Sequence, residues 1–320
     1  MRAIYQYLAG AFASDLLDDL VAILTGETLV ANLSASCNKS FTSIESVVPS
    51  GWTLHDGAAG TNAKVIKAPL ADDATKFKYV EINTNTAGAV LTKLFEDHNA
   101  TTHTGSNLCY ASDLVSSNQR VSTNTVGTIH IFSSARFLLL AGMYNGLWGS
   151  PTNAGPSGCF ERTRQCAWDT PAAGWPPFLF CNLGDLAATN NGLSGYAPRY
   201  MDRARNSLAG SSAPLYGFTG PFGSDGSNSQ LSVAKMFSQL NGIDQRVPDE
   251  TGGYVTPFFP ISFLNYATMP EPFGEISSLC EIWALPQGVA TNLDVLQKGG
   301  IDFICLQAAS SSKTFAIRKG

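Results

Sequence analysis

The feature that most constrains this chain is a change of hydrophobic period. After one early stretch at helical spacing, apolar residues recur at every second position, in short runs separated by turn-forming residues. Lys76-Phe77-Lys78-Tyr79-Val80-Glu81-Ile82 alternates, and so does Thr128-Ile129-His130-Ile131-Phe132. A period of two sends successive side chains to opposite faces, so each run reads as a strand with one buried face. Phe137 to Leu140 is continuously apolar, as expected of a strand covered on both sides. Gly57 to Asn62, Asp72 to Thr75 and Asn83 to Thr86 supply the turns.

The early exception runs from Phe12 to Thr25. There Phe12, Leu16, Leu20 and Ile23/Leu24 form one apolar stripe, Asp15, Asp18 and Asp19 complement the positive end of a helix dipole, and Gly26 stops the run. This predicts an amphipathic helix packed on its own domain's sheet. Near the other end, Asp302 to Gln307 and Lys313 to Lys319 flank Ala308 to Ser312 as a hairpin-like pair, and Gly274 to Leu285 adds one or two strands. Ala187 to Gln230 is rich in Gly, Ser, Asn and Ala, yet Tyr196, Tyr200, Tyr216, Phe218 and Phe222 anchor it. It reads as long ordered loops packed on neighbouring subunits, not as disorder.

The expected fold is therefore mainly β: antiparallel, sandwich-like sheets with a short amino-terminal amphipathic helix and long ordered loops. Residues 1–185 are expected to hold the helix and one β domain, and residues 186–320 a loop-rich β domain. The alternative is a single continuous unit.

Composition narrows the function. Charged residues are 14% of the 320 positions, against about 25% in a typical soluble domain, so uncharged side chains or other subunits must cover the surface. The net charge is −5, and no basic cluster is denser than Arg199, Arg203 and Arg205, which argues against a nucleic-acid partner. No run of 18 apolar residues is present, so no membrane span is expected. The opening MRAIYQYLAGAFASD imitates a signal peptide only weakly, since Gln6 interrupts the apolar run and Arg2 alone is basic. Seven scattered cysteines without a CxxC pair read as reduced thiols of a protein assembled in a cytosol, with Cys159 and Cys166 the pair to test for later oxidation.

Catalytic patterns are missing where they would announce themselves. His98 and His103 stand five apart, which fits neither a helical zinc pair nor a finger, and reads as a polar loop. Gly192-Leu193-Ser194-Gly195 does not complete a nucleophile elbow, and no phosphate-cradling glycine loop occurs. Asp56, Asp97, Glu161, Asp169 and Asp185 are carboxylates that an acid/base pair could draw on, but such a pair is defined by distance in space. No catalytic, cofactor-binding or metal-binding residue is assigned, and the chain is read as a non-enzyme that needs no cofactor. The most aromatic segments, Met143 to Gly149 and Ala173 to Phe178, offer Tyr144, Trp148, Trp175 and Phe178 as interface or glycan contacts.

One stretch, Gly51-Trp52-Thr53-Leu54-His55-Asp56-Gly57, reads either as the rim of an active site or as a strand running into a turn. The longer run from Gly51 to Thr84, with Lys93-Leu94-Phe95-Glu96-Asp97 and Thr102-His103-Thr104-Gly105, resembles structural proteins of tailed bacteriophages, in which a helix precedes a GWT strand, a KYVEI strand and a THTG loop. Ser134 to Leu140 and Gly158-Cys159-Phe160-Glu161-Arg162 resemble that group's strand leading to an FER segment. The resemblance covers roughly Arg2 to Asp185. It implies a virion component, assembled in the host cytoplasm, that joins copies of itself and other phage structural proteins in the tail, baseplate or fibre-attachment region. A receptor- or glycan-binding module at the tail tip, with host-surface glycan as partner, is the alternative; a capsid decoration protein or polysaccharide depolymerase ranks below it. On this reading Trp52 fills a core, and His55-Asp56-Gly57 is the turn after its strand.

Overall fold

A computed structural model describes residues 2–7, 13–26, 39–44, 50–60, 62–84, 90–111, 127–144, 147–148, 157–161, 178–182, 200–202, 207–209, 215–217, 247–248, 254–255, 258, 262–265, 271–275, 281–285, 290–307 and 314–319. Among these residues the chain is mainly β, with antiparallel sheets and one short helix. The amino-terminal part holds β1 (Arg2–Tyr7), α1 (Ala13–Thr25), β2 (Lys39–Ile44), β3 (Thr53–Gly60), β4 (Ala63–Pro69), β5 (Phe77–Thr84), β6 (Val90–Asn99), β7 (Thr104–Ala111), β8 (Gly127–Ser134), β9 (Phe137–Tyr144), β10 (Leu147–Trp148), β11 (Ser157–Glu161) and β12 (Phe178–Asn182).

Strands β3 to β7 form a five-stranded meander in chain order, the arrangement that short turns between alternating runs produce. The second sheet runs β12-β11-β9-β8-β1-β2, with β10 added to β9. Its member β1 was not anticipated. The residues that imitate the start of a signal peptide lie between β8 and β2, with Ala3 and Tyr5 wholly buried.

The two sheets and the helix share one core. Leu16, Leu20 and Leu24 of α1 meet Ile66 of β4, Val80 of β5 and Ile131 of β8. As the sequence predicts, α1 packs on its own sheet, against β3, β4 and β5. Two polar ties fix it: Lys64 Nζ lies 2.6 Å from Asp18 Oδ1, and the Tyr5 hydroxyl donates to buried Asp19 at 2.6 Å, binding β1 to the helix. Trp52 is 1% exposed at the centre, and its Nε1 donates 2.7 Å to the Ser134 carbonyl in the other sheet. The chain enters this position through Gly51, whose φ of 82° favours glycine and whose missing side chain would meet Ala135 Cβ at 2.6 Å.

Two expectations about polarity and turns need correction. Strand β5 alternates in sequence, but Lys78, Tyr79, Val80, Glu81 and Ile82 are all buried, so it is covered on both faces. Ion pairs make this possible, since a buried charge is tolerated only with a partner: Lys78 meets Glu161 and Glu81 meets Lys93, each at 2.7 Å. The turn expected over Gly57 to Asn62 is mostly strand: β3 continues to Gly60, which pairs with Ala63. Its register shifts twice on the way, and β-bulges accommodate the glycines without ending the strand.

Further along lie β13 (Tyr200–Asp202), β14 (Ser207–Ala209), β15 (Leu215–Gly217), β16 (Val247–Pro248), β17 (Tyr254–Val255), β18 (Ser262–Asn265), β19 (Glu271–Glu275), β20 (Ile282–Leu285), β21 (Val295–Lys298), β22 (Ile301–Gln307) and β23 (Thr314–Arg318). The pairs β13-β14 and β16-β17 and the sheet β15-β18-β19 are small. The expected hairpin of β22 and β23 forms, inside a four-stranded sheet of order β20-β23-β22-β21. That sheet has its own core of Leu285, Phe303, Cys305 and Ala316, with Phe258 and Trp283 packed on it. The boundary expected near residue 186, and Arg199, Arg203 and Arg205, lie outside the described residues.

Candidate functional site

The His-Asp pair of the GWTLHDG stretch lies within β3, not in a turn after it. Leu54 pairs with Ile66 and Asp56 with Val65, so His55 is the extra residue of a bulge. A bulge re-aims side chains that strict alternation would send to opposite faces. Both His55 and Asp56 thereby reach the β6–β7 hairpin.

That reach has a geometric consequence for the sheet. Strands β3 and β6 are three places apart in the order, a separation of roughly 14 Å in a flat sheet. Yet His55 Nε2 is 2.9 Å from the His98 carbonyl oxygen, and Asp56 Oδ2 is 2.8 Å from His103 Nδ1 in the turn between β6 and β7. The meander must curl, with Val65, Tyr79 and Phe95 in its concave face. Side chains of the His-Asp cluster connect its first strand to its last hairpin.

Aromatic packing completes the cluster. The His55 ring stands edge-on to Tyr79 at 4.8 Å and to His98 at 5.3 Å between centroids, and Phe95 lies 6.0 Å from His98. His98 is 5% exposed, and neither ring nitrogen has a hydrogen-bond partner. The turn that carries His103 is built locally: Asn99 Oδ1 accepts from the amides of Thr101 and Thr102 at 2.8 and 3.2 Å. It holds His103 at a φ of 54°, left-handed backbone uncommon outside glycine, and from there the ring meets Asp56.

The electrostatics follow from these contacts. Burial works against the charged form of Asp56, but hydrogen bonds from His103 and the Ala58 amide outweigh it and hold the carboxyl below its ordinary range. Burial pushes the His98 pKa down, and neighbouring His55 adds to the effect. Burial and the Asp97 charge raise that of Tyr79.

A carboxylate bonded to an imidazole orients the ring as in a general-base pair. Among the described residues, however, no serine or cysteine side chain hydrogen-bonds His103, and the nearby Thr102 and Thr104 hydroxyls bond each other at 2.6 Å. No group of three or more His, Cys, Asp or Glu side chains among those residues is arranged to hold a metal ion. The other candidate carboxylates are engaged elsewhere: Glu161 pairs with Lys78, and Asp97 accepts from the His98 amide at 2.9 Å. Asp169 and Asp185 lie outside the described residues.

Of the aromatic candidates, three have a described backbone position. Tyr144 and Trp148 belong to one hairpin, with Tyr144 paired to Leu147 and Trp148 to Met143. Phe178 pairs with Glu161, beside Arg136 at the opposite end of β9, about 25 Å away along the strand. Trp175 lies outside the described residues. Nothing in the spacing of His55, Asp56, His98 and His103 indicates that they meet; the sequence signals are the dipeptide His55-Asp56 and the polar run from Asp97 to His103, each read by itself. Among the described residues no helix is long and apolar enough to cross a membrane. No protein-family model matches the chain, and a search of curated proteins likewise finds no match.

Proposed function

We propose that this chain is a non-catalytic structural component of a tailed-phage particle, assembling through subunit interfaces in the tail, baseplate or fibre-attachment region. The observation that carries the reading is that the segments bearing the resemblance form one interlocked unit. Trp52 of the GWT segment hydrogen-bonds Ser134 ahead of Phe137 to Leu140, Lys78 of the KYVEI strand pairs with Glu161 of the FER segment, and Asp56 bonds His103 of the THTG loop. These polar side chains join sheets and close a curl, so the segments that carry the resemblance depend on one another in the fold.

Exposed apolar residues at sheet edges support the same reading. Among the described residues β3 and β21 are edge strands, with Leu54 on the first 43% exposed and Val295 on the second 48% exposed. Open edges with apolar side chains are templates for subunit contact.

Immunogold labelling and mass spectrometry of purified particles from the phage carrying this coding sequence test the proposal. Label at the tail, baseplate or fibre bases is the expected result. Label on the capsid keeps the virion role and discards the tail location, and particles free of the chain sink the reading. A glycan array with the wild type and Trp148→Ala addresses the tail-tip alternative, which fails if the wild type binds nothing.

A further inference from the structure

We propose that His55, Asp56, His98 and His103 form a proton-operated latch, which holds the curled five-stranded sheet closed at neutral pH and releases β3 from the β6–β7 hairpin on mild acidification. The latch is where the sheet closes without backbone pairing: β3 pairs with β4, and side chains bridge it to the hairpin.

His98 is the group that makes closure depend on protons. Its ring is buried against Tyr79, Phe95 and His55, with both nitrogens unpartnered. A neutral ring leaves one N–H and one acceptor nitrogen unpaired there, whereas an imidazolium would add a buried charge and a second unpaired N–H. The surrounding charges do not rescue it. On β3, Asp56 is already bonded to His103 and the Ala58 amide, and His55 is a second imidazole 5.3 Å away. On β5, Glu81 is held by Lys93, and Tyr79 presents a phenol. On β6 itself, Asp97 is engaged by the His98 amide, and in the turn His103 faces Asp56.

At His98 the direction follows from linkage, and it is opposed by the His103–Asp56 contact, which a proton on His103 would strengthen. A histidine whose pKa is lowered in the closed state binds its proton more readily when open, so closure weakens as pH falls below the ordinary value near 6.5. Asp56, held below its ordinary range, stays ionised across that window and keeps its bond to His103, so acidification acts at His98 before it acts at Asp56.

Hydrogen exchange of the full chain, followed by mass spectrometry from pH 7.5 to 5.0 and corrected for intrinsic rates, tests the latch. Amides of β3 and of the β6–β7 turn are expected to lose protection by up to about tenfold per pH unit, the limit for one proton taken up. Strands β22 and β23 should keep theirs. His98→Phe, which keeps a ring but cannot titrate, should flatten the response of β3. Wild-type protection of β3 that is invariant with pH overturns the proposal whether or not the variant folds, and so does an unchanged response in His98→Phe.

Discussion

Lys78 and Glu161 form an ion pair across 83 residues of sequence, with Nζ 2.7 Å from Oε2 and both side chains almost wholly buried. It ties β5 of the meander to β11 of the second sheet. Each has a further polar partner: Lys78 also donates to the Pro69 carbonyl, and Glu161 accepts from the Ala71 amide at 2.6 Å.

Breaking this pair from one side leaves an uncompensated buried charge. Lys78→Met and Glu161→Leu are each expected to destabilise the amino-terminal unit by about 3–5 kcal/mol. The double variant should lose much less than the sum. Urea unfolding of the four proteins in one double-mutant cycle measures the coupling, and strictly additive losses would show that the pair does not act as a unit.

Two glycines in strands should respond in opposite ways to the same substitution. A Cβ on Gly158 would lie 1.8 Å from the Leu138 carbonyl oxygen, so Gly158→Ala must push β11 away from β9. At Gly57 the nearest atom would be Leu54 Cδ2 at 3.7 Å, an ordinary contact. Gly57→Ala is expected to be neutral or to stabilise by up to about 1 kcal/mol through the unfolded state, while Gly158→Ala loses several. Thermal unfolding by circular dichroism ranks the two.

Acid should weaken the second sheet through His130. This residue is 3% exposed on β8, and burial, with the nearby Arg2 charge, brings its pKa to about 4. The unfolded chain binds the proton near 6.5 and the folded chain does not, so the stability is complete above that value and is lost as pH falls toward about 4. The loss amounts to about 3 kcal/mol at full effect. Replacing His130 with Phe should reduce the slope of unfolding free energy against pH between 6.5 and 4, and an unchanged slope would contradict the assignment.

Thiol chemistry should be silent in the native state. Cys159 and Cys305 are free and wholly buried; burial drives the Cys159 thiol far up, and burial with the Asp294 charge takes Cys305 to about 12. Iodoacetamide is expected to leave both unmodified at pH 8 and to label them on unfolding, as read by peptide mass spectrometry. Native labelling of either would show that its strand opens. Cys166, the partner considered for Cys159, lies outside the described residues.

Strand existence was legible in the alternation, because a period of two is imposed by the pleat itself. The continuous run Phe137 to Leu140 announced two-sided cover and received it. Lys76 to Ile82 announced one polar face and misled: Lys78 and Glu81, three positions apart and so on opposite faces, are both buried, because they found partners in Glu161 and Lys93, 83 and 12 residues away. Strand β1 was hidden because Arg2–Tyr7 also fits the composition of a leader segment, and only its neighbours β2 and β8 distinguish the two.

The sequence by itself determined the class of fold, the place of α1 and the carboxy-terminal hairpin, because these depend on local period and turn chemistry. The tertiary structure alone decided that His55 and Asp56 would meet His98 and His103, and that Lys78 would meet Glu161. The second depends on how one sheet packs against the other, and the first on a bulge and the curl of a sheet. Both shift register by a single residue or bend strands by a few degrees each, and such small local changes leave no period in the sequence while moving distant side chains into contact.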